Sequence, residues 1–124
     1  MKIQASAENY LEAIYVLHLR NNEVRSIDIA HELGFSKPSV SVAMKQLRTA
    51  GYILTDSAGY ITLTEEGHKE ALRVYERHSV LSALLVALGV DKDVAAEDAC
   101  RIEHVLSEES FEAIREKAIS SKFI

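Results

Sequence analysis

Residues 29–53, "IAHELGFSKPSVSVAMKQLRTAGYI", constrain this chain more than any other stretch. Ser26 can cap a short helix over Ile27–Leu33, which Gly34 stops. Two residues later Ser36 can cap a second helix. Pro38 is tolerated in its first turn, where the backbone donor would be unpaired anyway. Val40, Met44 and Leu47, at steps of four and three, form the buried stripe of that helix, and Gly51 ends it. Next comes "YILTDSAGYITLT", in which two β-prone runs, Tyr52–Thr55 and Tyr60–Leu63, flank a turn-forming Asp-Ser-Ala-Gly. Helix, tight turn, helix and hairpin, in that order, predict a winged helix-turn-helix.

The remaining segments read as helices. Tyr10, Leu11, Ile14 and Leu17 are spaced for a first helix over residues 7–20. Thr64 caps a long helix whose first turn holds two glutamates, where the helix dipole favours them. Leu81, Leu84, Leu85 and Leu88 make an i, i+3, i+4, i+7 ridge before Gly89. Asp91 or its neighbour starts a helix running to about Leu106, and Ser107 caps a last one over Glu108–Ile119. The expected fold is mainly α with a small β-hairpin wing: a winged helix-turn-helix over residues 1–64, then a helical domain over 65–124. At 124 residues the chain suits one compact domain or two small ones sharing a core. Such a chain is only moderately supplied with buried surface, so a partner subunit could contribute. No apolar run approaches membrane-spanning length and no signal segment opens the chain. A single cysteine excludes an internal disulfide, and the expected location is cytoplasmic.

Charge bears on the partner. The net charge of −5 argues at first against nucleic acid, but the deficit is localised. Residues 1–64 hold equal numbers of acids and bases, whereas 65–124 hold eight basic and thirteen acidic groups. The window Phe35–Thr55 carries Lys37, Lys45 and Arg48 with no acid at all. The polar face of the second helix offers Ser36, Lys37, Ser39, Ser41, Lys45, Gln46 and Arg48. Lys and Arg suit phosphates and guanine edges, Gln suits adenine and Ser serves either. Ser39, Ser41, Val42 and Gln46 are therefore expected to read bases, while Lys37, Lys45, Arg48 and the wing hold the backbone. A solvated helix face in a small α+β domain is the bland alternative.

A second constellation lies in "ACRIEHVLS". Cys100, Glu103 and His104, at i, i+3 and i+4, share one helical face within about one turn. Thiolate, carboxylate and imidazole so placed can converge on one divalent transition metal, and the thiolate argues against magnesium or calcium. The competing reading is a small core cysteine beside two surface residues. Further donors are available at Glu8, Asn9 and Glu12 on the first helix and at His78 in "YERHSVL". His18, His31 and His68 are read as solvated or structural.

These residues carry a resemblance that covers nearly the whole chain. "SAENYLEAIYVL", "IAHELGFSKPSVSVAMKQLRTAGYI", "LTEEGHKEALRVYERHSVL", "LGVDKD" and "EDACRIEHVLS" occur in the order of the diphtheria-toxin-repressor family of metal-dependent bacterial repressors, which includes the manganese-transport regulators. The resemblance implies an operator-binding winged helix and a helical half that dimerises, bridged by a divalent metal. Carried onto this sequence, the metal ligands are Asn9, Glu12, His78, Cys100, Glu103 and His104. Cys100 stands where the manganese branch has a carboxylate and looks like the iron branch instead. Asn9 stands where the branches place aspartate or methionine. Ser82 and Ala96 occupy positions where the iron branch has second-site ligands, and the chain ends near the two-domain length. Fe(II) is accordingly the first choice of metal and Mn(II) the second, with Zn(II) or Co(II) able to bind in vitro. The expected partners are double-stranded operator DNA and a second copy of the chain, meeting at Leu81, Leu84, Leu85 and Leu88. The rivals are a winged-helix regulator without metal control and a small metalloenzyme using Glu12 or Glu103 as base. No motif supplies the substrate pocket that an enzyme needs.

Overall fold

The glycines and caps divide the chain largely as their chemistry dictates. The computed structural model describes residues 5–21 and 23–121. Among these, α1 (Ala5–Arg20), α2 (Ser26–Leu33) and α3 (Lys37–Thr49) precede a two-stranded antiparallel sheet of β1 (Ile53–Thr55) and β2 (Ile61–Leu63). Then follow α4 (Glu65–Ala87), α5 (Lys92–Ile102) and α6 (Glu108–Ser120). The chain forms two compact units that divide within α4, between Leu72 and Arg73.

In the first unit, Leu11, Ile14 and Leu17 of α1 pack with Ile29 of α2 and with Val40, Met44 and Leu47 of α3. Ile53 and Ile61 close that core from the wing. Full burial of each such side chain contributes about 1.5–3 kcal/mol before entropy is counted. Gly34 ends α2 in the left-handed conformation, φ 70°, and its N–H donates to the Ala30 carbonyl. The hydroxyl of Ser36 accepts from Ser39 N, so the expected cap of α3 is in place. The cap of α2 differs from expectation. Arg25 holds the N-cap position, and the Asp28 carboxylate accepts from its backbone N–H at 2.8 Å. Ser26 lies inside the first turn instead.

The wing pairs Ile53 with Leu63, Leu54 with Thr62 and Thr55 with Ile61. Alternation buries Ile53 and Ile61 and exposes Leu54 and Thr62. Asp56 Oδ1 accepts from Ala58 N and Tyr60 N, both at 2.9 Å, and Gly59 has φ 90°. This side-chain-to-backbone bonding is the reason for Asp and Gly in that turn. The wing is tied down on its far side: Ile61 N donates to Val24 O at 2.7 Å, and His18 Nε2 lies 2.9 Å from Ile61 O. A carbonyl only accepts, so His18 carries its proton on Nε2 and is a structural residue.

In the second unit, Val80 of α4 packs with Phe111 and Ala118 of α6, and Ile114 covers them. Asp91 caps α5 and Ser107 caps α6 through their side chains. The expectation that α5 runs to Leu106 is corrected. It ends at Ile102, and Val105 N and Leu106 N both turn back onto the Ile102 carbonyl. Of the leucine ridge, Leu81 is buried, Leu84 and Leu85 are half-buried, and Leu88 is 69% exposed just past α4. Leu84, Leu85 and Leu88 thus keep accessible surface, and Leu81 keeps almost none.

Candidate metal centre and nucleic-acid interface

The metal candidates of the second unit lie on α4 and the end of α5. Ligand atoms of Cys100, Glu103 and His104 lie within 4.8 Å of one another. Donors around one transition ion, each about 2.0–2.3 Å from it, stand roughly 3.3–4.4 Å apart, so small side-chain shifts complete such a site. Glu103 is the centre of the group. Its side chain has no exposed surface, His78 Nδ1 stands 3.2 Å from Oε2, and His104 Nε2 stands 3.5 Å from Oε1. Neither carboxylate oxygen meets an aligned hydrogen-bond donor among the described residues. A buried carboxylate in that condition is costly unless a cation accompanies it. Two imidazoles, a thiol and a carboxylate are a donor set that a divalent transition metal fits.

The α5 helix brings Cys100 and Glu103 to the same side because they are three residues apart. Glu103 keeps helical dihedrals, φ −57° and ψ −26°, although it is the C-cap residue. His104 therefore still follows the helical course despite the early end of α5. The first unit carries the other candidates, Asn9 and Glu12, three apart on α1 and both half-buried, with Glu8 buried one turn before Glu12. Ser82 on α4 and Ala96 on α5 are half-buried and offer no thiolate, carboxylate or imidazole.

One participant has no counterpart among the residues expected from sequence. Arg77, only 3% exposed, donates from Nη1 to the carbonyls of Glu103 (2.9 Å) and Leu106 (2.8 Å). From Nη2 it donates to Glu108 Oε1 at 2.8 Å, and its guanidinium lies over the Phe111 ring at 5.1 Å. Its place beside His78 is the only signal of it in the sequence.

In the first unit, Ser36, Lys37, Ser39, Ser41, Val42, Lys45, Gln46 and Arg48 are all exposed on or next to α3. Val42 is 58% exposed, so its methyl groups are open to contact with a base methyl group. Arg48 Nη1 reaches Thr55 Oγ1 of the wing at 3.4 Å. Across the wing, the Arg25 guanidinium sits 4.5 Å from the Tyr60 ring centroid. A hydrogen bond with Glu23 raises the Tyr60 pKa above its usual value.

Fold and site thus define a winged-helix protein in which thiol, imidazole and carboxylate groups gather around the buried Glu103. Two domain families match the sequence: the iron dependent repressor N-terminal DNA binding domain over residues 2–61, and the iron dependent repressor metal binding and dimerisation domain over 64–118. The chain belongs to this family of metal-dependent repressors, the diphtheria-toxin-repressor family. It is 36% identical over 112 residues to an uncharacterized HTH-type transcriptional regulator of Methanocaldococcus jannaschii, covering 89% of this chain and 90% of that one. It is 38% identical over 108 residues to the transcriptional regulator MntR of Escherichia coli O6:H1, covering 87% of this chain and 70% of that one. The solved structure of the manganese regulator SloR superposes with a TM-score of 0.80 and 29% identity, over 89% of this chain and 52% of that one. The chain spans about half the length of that solved relative. No helix among the described residues is long and apolar enough to cross a membrane.

Proposed function

We propose that this chain is a metal-dependent, DNA-binding transcriptional repressor that senses a divalent transition metal and controls metal-homeostasis genes. The observation that carries this reading is the buried Glu103 carboxylate, set between two imidazoles beside a thiol, on a chain with a cation-bearing helix-turn-helix. Cys100, Glu103, His104 and His78 hold the metal, and Asn9 and Glu12 of α1 complete the set by the family pattern. When bound, the dication supplies the positive charge that offsets the clustered acids and thiolate. The ligands bind it best in the conformation that fits DNA, and DNA affinity rises only by that difference.

Fe(II) is the first choice because Cys100 offers a thiolate. Mn(II) is the second, supported by the likeness to the manganese regulator SloR. Residues 1–64 form the DNA-binding part and 65–124 the metal-binding and dimerisation part. Two copies meet through Leu84, Leu85 and Leu88, beside the apolar depression that Leu84 shares with Ala113 and Ile114. The protein works in the reducing cytoplasm, where Cys100 stays a thiol.

Anaerobic operator-binding titrations test this, with Fe(II) or Mn(II) against chelator, for wild type and Cys100→Ala. The metal should tighten wild-type binding by roughly 5–150-fold, the range of ordinary allosteric coupling, and Cys100→Ala should lose most of that gain with Fe(II). DNA binding indifferent to both metal and substitution would sink the sensor reading and favour a regulator without metal control.

A further inference from the structure

Arg77 is a buried cation that the metal reading leaves without a task. All its hydrogen bonds go to the segment joining α5 to α6: two backbone carbonyls, Glu103 and Leu106, and the Glu108 carboxylate. A helix leaves its last carbonyls without intrahelical donors. Here α5 stops at Ile102, and the guanidinium supplies donors to two carbonyls of the turn that follows. The neighbouring His78 faces the carboxylate of the same glutamate. Consecutive residues of α4 therefore meet Glu103 at two places: Arg77 bonds its backbone carbonyl, and His78 Nδ1 stands 3.2 Å from its carboxylate. None of the hydrogen bonds from Arg77 goes to the Glu103 carboxylate, so its effect on that group is one of placement. The geometry requires an arginine: a planar fork spans three acceptors, whereas a lysine ammonium is a point.

We propose that Arg77 is a positioning residue of the metal centre. It fixes the turn after α5 so that Glu103 and His104 present their ligand atoms together with Cys100. This inference rests on the reading of those three residues as ligands.

Anaerobic Co(II) titrations of the full chain separate the two claims. A thiolate-to-cobalt charge-transfer band in wild type, absent in Cys100→Ala, reports the ligand set. Loss of that band from wild type itself would overturn the ligand reading and the inference with it. With the band present, Arg77→Lys should bind Co(II) roughly 10–100-fold more weakly, with altered d–d absorption, as when groups that orient metal ligands are removed. Glu108→Gln keeps both carbonyl bonds and should bind close to wild type with an unchanged spectrum. Phe111→Leu is the stability control: it should unfold at lower temperature yet keep its cobalt spectrum. Arg77→Lys with wild-type affinity and spectrum, or Phe111→Leu with an equal loss of affinity, overturns the positioning role. Should Arg77→Lys not fold, NMR of the wild type decides. Arg77 guanidinium protons should be protected from solvent exchange in both apo and Zn(II)-loaded protein, and exchange at the solvent rate overturns the proposal.

Discussion

Gly67 shows how much one hydrogen atom can matter in this molecule. It lies in the first turns of α4, where a Cβ would run into the carbonyl oxygen of Tyr52 and lie 2.9 Å from its carbonyl carbon. That carbonyl cannot retreat freely, because it accepts a hydrogen bond from Thr64 N at 3.0 Å. Gly67→Ala should therefore destabilise the first unit by about 1–3 kcal/mol, the usual cost of overpacking, although alanine is the better helix former. Chemical denaturation measures this, and an unchanged or higher midpoint would contradict it. Nothing local to "TEEGHKE" announces the clash, since the obstacle lies fifteen residues away in sequence. Cys100, Glu103 and His104 were legible because their chemistry and helical spacing coincide. Arg77 was not, because its partners are backbone carbonyls that any sequence would supply.

The turns and caps carry most of what sequence can say about the elements. Ser36, Asp91 and Ser107 cap the helices they precede, because a short side-chain acceptor satisfies donors within its own first turn. Ser36→Ala should cost about 1 kcal/mol and loosen the start of α3. Its DNA affinity should fall as well, because Ser39 loses the hydroxyl partner that now orients it at 2.9 Å. Circular dichroism melts and operator titrations would check the two effects, and a melt identical to wild type would refute the cap. The errors at this scale share a cause. Asp28 took the cap of α2 from the other side, by reaching back to Arg25, and α5 stops at Ile102, whose carbonyl accepts from Val105 N and Leu106 N while Arg77 bonds the carbonyls of Glu103 and Leu106 in the turn that follows. Both are competitions among bonds that spacing alone does not rank.

At the scale of the molecule, charge is divided unevenly along the chain. The acidic excess lies beyond residue 64, and the exposed surface of α3 carries Lys37, Lys45 and Arg48 without an acid on that helix. A footprint of so few cations predicts moderate rather than extreme salt sensitivity. The slope of log K against log salt should change by about 0.9 for each phosphate that is no longer neutralised. Lys45→Ala should flatten it by about one unit per half-site bound, with little change in sequence preference. A wild-type slope for that variant would remove Lys45 from the phosphate-binding set. Net charge alone pointed the wrong way on this question. The winged fold, by contrast, was readable, because caps, glycines and alternating apolar residues agree on one arrangement.

Thr64 gives the wing a property that its two short strands do not reveal. Its hydroxyl donates to the Gly51 carbonyl at 2.7 Å, accepts from Gly67 N at 3.1 Å, and its own N–H donates to Tyr52 O. One side chain thus closes the loop between the end of α3 and the start of α4. The hairpin is a fastened collar rather than a free limb. A twist applied to the first turn of α4 reaches the end of α3 through the three hydrogen bonds of Thr64, without first having to bend a strand.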